Sequence, residues 1–195
     1  MGYRDDMFNN LVKMLVGIVV FAVLVRTTVN SGLFKPKVYK GRGYVFDIPK
    51  GWIESKQLSG VTKSEDGKTE TDTITYVTPE KDPITNSPVA MISVITIKSP
   101  QAIWIEDEFG NILNYIRRAG YRILDTGARK VDTANARWVL FIDRESTFMT
   151  LEYYFVPDSG LLYKMVYSVQ ADKFKKYVRT FENVRKSFRF VFSLF

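Results

Sequence analysis

The 195-residue chain contains no cysteine and no histidine. Without thiols there is no disulfide, no thiol nucleophile and no thiolate site for zinc or an iron–sulfur cluster. Without imidazole, histidine-ligated metal sites and triads that use imidazole as base are excluded too. Zero Cys is compatible with either redox compartment. The sequence also lacks a glycine-rich phosphate loop, a G-x-S-x-G turn and a paired-carboxylate constellation. The expectation is a non-enzyme with no catalytic residue, no metal and no cofactor. One catalytic option is left, a hydrolase that works through carboxylates alone. It requires two buried carboxyl groups about 5–9 Å apart in a cleft.

What the chain does have is aromatic. It carries 14 Phe, 11 Tyr and 3 Trp in a composition 46% hydrophobic and 25% charged. That is ordinary globular usage with enough ring area for a substantial core. Net charge is +7 and unevenly spread: residues 171–195 hold seven Lys and Arg against two Asp and Glu, and residues 1–34 hold three against two.

The one non-globular stretch is "LVKMLVGIVVFAVLV" (Leu11–Val25), apolar all the way round a helix, as lipid requires. Met14–Val25 alone would span about 18 Å as a helix, short of the roughly 30 Å hydrocarbon core. Counted from Phe8 to Val29, with Lys13 and Arg26 snorkelling to the interfaces, the length suffices. Leu11, Leu15, Ile18, Phe21 and Leu24 are the anchor residues of this transmembrane helix. The rival is a cleaved secretory signal, with cleavage after Ser31. Arg26 directly after the apolar core and the missing Ala-x-Ala favour retention. Asp6 stands where myristoylation needs Ser or Thr. Arg26, Lys35, Lys37, Lys40 and Arg42 follow the segment, so the positive-inside rule taken alone would leave the domain in the cytoplasm.

The organisation expected is an anchor over 1–30, a linker over 31–42, a domain over 43–190 and an apolar tail over 191–195. In "GRGYVFDIPKGW" (Gly41–Trp52), Tyr44, Phe46 and Ile48 alternate as one face of a strand, and Pro49-Lys50-Gly51 turns the chain. Gln57–Asp72 is polar and reads as a long loop. Thr73–Thr78 and Val89–Ile97 are strands, joined by a Pro-punctuated connection over 79–88. Ser99-Pro100 is a helix start, and Ile105, Phe109, Ile112, Leu113 and Ile116 form its apolar face before Gly120 ends it. Tyr121–Val131, interrupted at Asp125-Thr126-Gly127, precedes strands Arg137–Arg144, Phe148–Val156 and Leu161–Val169. A last helix from Asp172 buries Phe174, Tyr177, Val178, Phe181, Val184 and Phe188. The fold class is α+β: a mostly antiparallel sheet flanked by amphipathic helices, preceded by the N-terminal transmembrane helix.

"YVFDIPKGW" (Tyr44–Trp52) and the closing "FENVRKSFRF" (Phe181–Phe190), with a strand pair, a helix and paired strands between them, resemble the PsbP family. The resemblance covers about residues 40–190 and implies a PsbP-like sandwich. Its relatives include extrinsic photosystem subunits, a Ran-binding nuclear import factor and bacterial envelope proteins. It implies a non-catalytic protein that docks onto membrane assemblies, held outside the cytoplasm, against the positive-inside reading. The absence of His keeps the family's metal binding from being carried over.

Arg42, Gly43, Tyr44 and Phe46 also match part of an RNA-recognition signature, but Val45 and Pro49 break it, so no nucleic acid is expected. Ser64–Asp72 is acidic yet lacks calcium-loop order and reads as a solvated loop. The strongest surface feature is the basic face of the last helix, Lys173, Lys175, Lys176, Arg179 and Lys186, suited to anionic headgroups or an acidic protein. In "FRFVFSLF", Phe188 and Phe190 are expected to self-pack, and Phe192 and Phe195 to contact a partner. Together these imply a single-pass protein of the inner (cytoplasmic) membrane, its domain extracytoplasmic, acting as an accessory or assembly subunit. Its partners are the membrane bilayer and an integral membrane protein or complex. The alternative is a binder of a small envelope ligand or lipid in a pocket between sheet and helix.

Overall fold

The computed structural model describes residues 36–100, 103–158 and 161–191. The anchor residues Leu11 to Leu24 and the tail residues Phe192 and Phe195 lie outside the described residues. Among the described residues no helix is long and apolar enough to cross a membrane.

The domain opens with a hairpin. β1 (Lys37–Lys40) and β2 (Tyr44–Ile48) pair antiparallel with Tyr39 opposite Phe46. Residues 37–40 thus form a strand within the stretch expected to be linker, because Tyr39 packs its ring 5.2 Å from that of Phe46. The glycines of "GRG" serve the turn. A side chain at Gly41 would meet the Tyr44 ring at 2.5 Å, and Gly43 sits at φ +82°. Tyr44 and Phe46 are each only 1% exposed, so neither ring is presented to a nucleic acid base.

A larger sheet follows, built of β3 (Ile53–Glu54), β4 (Gly60–Lys63), β5 (Glu70–Val77), β6 (Ala90–Lys98), β7 (Arg122–Val131), β8 (Ala134–Ile142), β9 (Phe148–Asp158) and β10 (Leu161–Gln170). Its order is β3-β5-β6-β10-β9-β8-β7, with β4 also on β5, and every pairing is antiparallel. A closing strand, β11 (Arg189–Phe190), pairs with β2 and completes a second, three-stranded sheet.

Three local expectations are corrected. The stretch 57–72 is no long loop: β4 and the start of β5 form a hairpin, Gly60 opposite Thr73. Alternating Thr side chains suit a strand, and Asp66 closes the turn by accepting from Ser64 Oγ at 2.5 Å and from the Lys68 amide at 3.1 Å. Helix α1 (Ile105–Arg118) starts at Ile105 rather than at Ser99-Pro100, since β6 stays paired on both sides through Lys98. Trp104 stands at its N-cap without a side-chain cap, and Glu106, Asp107 and Glu108 face the positive end of the helix dipole. β7 runs through 125–127 with only a register shift between Ile123 and Asp125. Gly127 lies under Trp138 there, and an added Cβ would sit 2.7 Å from the indole nitrogen.

Gly120 ends α1 as expected, in a Schellman arrangement. At φ +87° its amide donates to the Arg117 carbonyl at 3.0 Å, and that of Tyr121 to Ile116 at 3.2 Å. The second helix, α2 (Phe174–Ser187), follows a 3-10 turn over Ala171–Lys173.

The two faces of the large sheet are covered unequally. One receives α2 and the small sheet, which together close an aromatic core: Phe181 stacks on Tyr167 at 5.1 Å and Phe188 on Tyr44 at 5.3 Å. Phe190 adds its ring 5.4 Å from Tyr163. Among the described residues the other face receives α1 alone, through Ile105, Phe109 and Ile116 on Val139, Phe141 and Tyr154. A helix is about 10–12 Å across and strands are about 4.8 Å apart, so one helix covers two or three strands. α1 lies over β7, β8 and β9 and leaves the floor toward β10 and β6 open.

Candidate functional site

The basic face of α2 divides in two. Lys173 is half-buried; Lys175, Lys176, Arg179 and Lys186 are exposed. Glu80, on the 79–88 connection, gathers part of the set. Lys173 Nζ lies 4.0 Å from its carboxylate, Lys176 is ion-paired with it, and the Tyr177 hydroxyl donates to it. Lys176 also lies 4.9 Å above the Tyr177 ring. These bonds, Lys176 first and Tyr177 second, hold Glu80 below the usual carboxylate range. Two of the five expected contact residues are therefore engaged within the fold.

Lys175, Arg179 and Lys186 make no ion pair among the described residues. Spaced by four and seven, they line one stripe of the helix. Arg185, also basic, belongs elsewhere. It is 8% exposed, binds Glu182 through two nitrogens at 2.9 and 3.1 Å, and donates to the Lys130 carbonyl at 3.0 Å. Arg129 of β7 reaches the same Glu182 at 3.4 Å, so the edge strand adds to this basic surface.

A second feature lies on the opposite face, where the sequence names no residues for a pocket between sheet and helix. Between α1 and the uncovered sheet lies a groove of about 580 Å³. Its floor carries Glu152 and Lys164, 2.7 Å apart, with side chains 8% and 24% exposed. The Tyr154 hydroxyl donates to the other carboxylate oxygen of Glu152, and its own pKa is raised, foremost by burial. Lys164 Nζ stands 5.3 Å from the Tyr154 ring centre. Beside them Thr150 and Ser168 share a hydrogen bond of 3.3 Å. Ile112, Ile116 and Val166 make apolar walls, and Tyr115 and Tyr121, 74% and 41% exposed, form the rim. Among the described residues Glu152 is the single carboxylate lining this groove, so the pair a carboxylate hydrolase needs does not form there between them. The signal was present in sequence as period two: Thr150 and Glu152 in β9, Lys164 and Ser168 in β10, each alternating with core residues.

No family model matches the chain, and no curated protein does either. Solved structures do match. LpqN of Mycobacterium tuberculosis, involved in cell envelope biogenesis, aligns over 79% of this chain and 88% of its own, with 11% identity and a TM-score of 0.51. That likeness shows a shared fold. The fold is PsbP-like. Cyanobacterial PsbP from Synechocystis aligns over 80% of this chain and 92% of its own, at 18% identity and a TM-score of 0.48. The Saccharomyces cerevisiae Ran-binding protein Mog1p aligns over 80% and 96%, at 11% identity and a TM-score of 0.47. Within the PsbP-like domain, Tyr44–Trp52 supplies β2 and its turn, and Phe181–Phe190 supplies the end of α2 and β11.

Proposed function

We propose that the chain is a membrane-anchored, non-catalytic protein-binding module, an accessory or assembly subunit of a larger membrane complex. The observation that carries this reading is the stripe Lys175, Arg179 and Lys186, exposed and without an ion-pair partner among the described residues. Its cations suit an acidic patch on a membrane protein. The apolar Met14–Val25 segment is the anchor, in the inner (cytoplasmic) membrane with the domain on the extracytoplasmic side. Tethering raises the effective concentration near membrane partners, so a modest interface suffices. Phe192 and Phe195 add apolar contact to the same partner.

The test is to purify the full-length chain from its native membranes in mild detergent, beside the variant Lys175→Glu, Arg179→Glu, Lys186→Glu. A stoichiometric membrane partner should accompany the parent and be lost from the variant at unchanged melting temperature. Retention of the same partner by the variant refutes the role of this stripe. Phe192→Ser with Phe195→Ser should weaken assembly while the domain stays folded.

A second reading, an extracytoplasmic binder of a small ligand, is favoured by the groove beneath α1 with its buried polar floor.

A further inference from the structure

We propose that the groove between α1 and the β9–β10 floor binds an uncharged, hydroxyl-rich ring, a sugar residue, held by Glu152 and Lys164 and covered by Tyr115. The inference rests on the ligand-binding reading and names the ligand's chemistry.

The ion pair decides the charge of the ligand. Lys164 and Glu152 lie 2.7 Å apart, and no other charged side chain among the described residues lines the groove. A carboxylate or phosphate drawn to Lys164 would meet Glu152 at once, and a cation drawn to Glu152 would meet Lys164. Neither sign gains, so the floor suits a neutral molecule.

Hydrogen-bonding capacity decides the functional group. An ammonium has three donors, and Lys164 gives one to Glu152. A carboxylate has about four acceptor positions, of which Lys164 and the Tyr154 hydroxyl take two. Donors and acceptors thus stand side by side, the set that a hydroxyl satisfies in both roles. Register continues the row, for Thr150 lies directly opposite Ser168, two pairs beyond Glu152 and Val166 and so on the same face. Neighbouring hydroxyls on one ring match such a row.

The walls decide the shape. A pyranose has an apolar C–H face as well as a hydroxyl edge. Tyr115 and Tyr121 offer rings at the rim, and Ile112 and Val166 offer apolar surface within. A volume near 580 Å³ is within the range of small-molecule sites, about 300–1,000 Å³. The fold alone gives little reason for the pair, since a buried ion pair is commonly no more stabilising than apolar residues of the same volume.

The test uses the full-length chain in lipid nanodiscs free of glycolipid, with saturation-transfer NMR of maltose and of N-acetylglucosamine at millimolar concentration. Saturation should pass to the sugar ring protons. It should fall severalfold in Tyr115→Ala and vanish in Lys164→Met, and it should be unchanged in the triple charge reversal on α2. Tyr115 is 74% exposed, so its truncation leaves the fold intact and keeps the test open if Lys164→Met unfolds. The sugar assignment is overturned if neither sugar receives saturation or if Tyr115→Ala leaves the transfer undiminished. Cyclohexanol, a neutral ring with one hydroxyl, separates the two levels. Tyr115-dependent binding of cyclohexanol without sugar binding keeps the ligand site and removes the sugar; failure of all three probes removes both.

Discussion

The two helices have equal length and opposite roles. α2 carries five Lys and Arg against one Glu, and α1 two Arg against three Asp and Glu. α2 shares its face of the sheet with a three-stranded sheet, so its inward side chains are sealed: Phe181 0%, Val184 2% and, just beyond it, Phe188 0% exposed. Among the described residues α1 has no companion, and Ile112 and Leu113 on its inner side are only half-buried. One face of the sheet is therefore closed and presents charge outward, and the other is partly open and presents a polar floor. The difference follows from width, since a single helix cannot cover a sheet of this breadth.

The largest expected effect tests the seal. Phe181→Ala removes a ring packed 5.1 Å from Tyr167 and 5.8 Å from Tyr153. The loss should be about 3–5 kcal/mol in a denaturant titration. Phe109→Ala, on α1, should cost less, about 2–3 kcal/mol, because the neighbouring groove lets the walls relax. Equal losses would mean that the two faces are equally well packed, and the comparison would fail.

Next in size is the ion pair on the open face. Lys164→Met leaves Glu152 with only the Tyr154 hydroxyl, and should cost up to about 3 kcal/mol. Replacing the whole set, Glu152→Leu, Lys164→Leu and Tyr154→Phe, should restore stability to within about 1 kcal/mol of the parent. Chemical denaturation of the two variants measures this. A combined variant no better than the single one would make the pair a structural requirement rather than a feature of a site.

Period alone made the closed face legible. Tyr44, Phe46 and Ile48 alternate, Phe174, Tyr177, Val178, Phe181 and Val184 recur at helical spacing, and all pack inward. The open face was less legible: period two marks Glu152 and Lys164 as sharing a face, but their contact is set by the register of the β9–β10 hairpin. Lys164 stands opposite Tyr154 and diagonal to Glu152 only once β9 and β10 pair. The division within the basic face was hidden because Glu80, which engages Lys173 and Lys176, lies more than 90 residues earlier in the chain. Arg185 shows the limit of counting charge, since a buried guanidinium and a surface one look alike in sequence.

A smaller effect on stability separates surface from structure on α2. The reversals at Lys175, Arg179 and Lys186 should each shift stability by no more than about 0.5 kcal/mol. Arg185→Ala, next to Lys186 in the chain, should cost about 1.5–3 kcal/mol because the bonds to Glu182 and Lys130 are lost. Thermal melts of the four single variants give the ranking directly, and similar shifts at all four sites would break it.

The smallest effect is a pH dependence at the 79–88 connection. Asp82 accepts from the Thr85 amide at 2.7 Å and the Ile84 amide at 2.9 Å, and Gln170, at the end of β10, donates to its other oxygen at 2.6 Å. These bonds, the Thr85 amide first, hold its pKa down to about 2. The unfolded value is about 3.9, so the folded state binds fewer protons at this group than the unfolded state does. Its contribution to stability is therefore complete above about pH 4 and is lost as pH falls toward about 2. The parent should melt above Asp82→Asn at neutral pH, with the two curves converging through that window. Because Asp82 ties the 79–88 connection to Gln170, just before the turn into α2, convergence would place an acid-sensitive joint beside the charged helix. A constant gap from neutral pH to pH 2 would mean that the uncharged amide replaces every bond the carboxylate makes, and that the ionised form adds nothing to this joint.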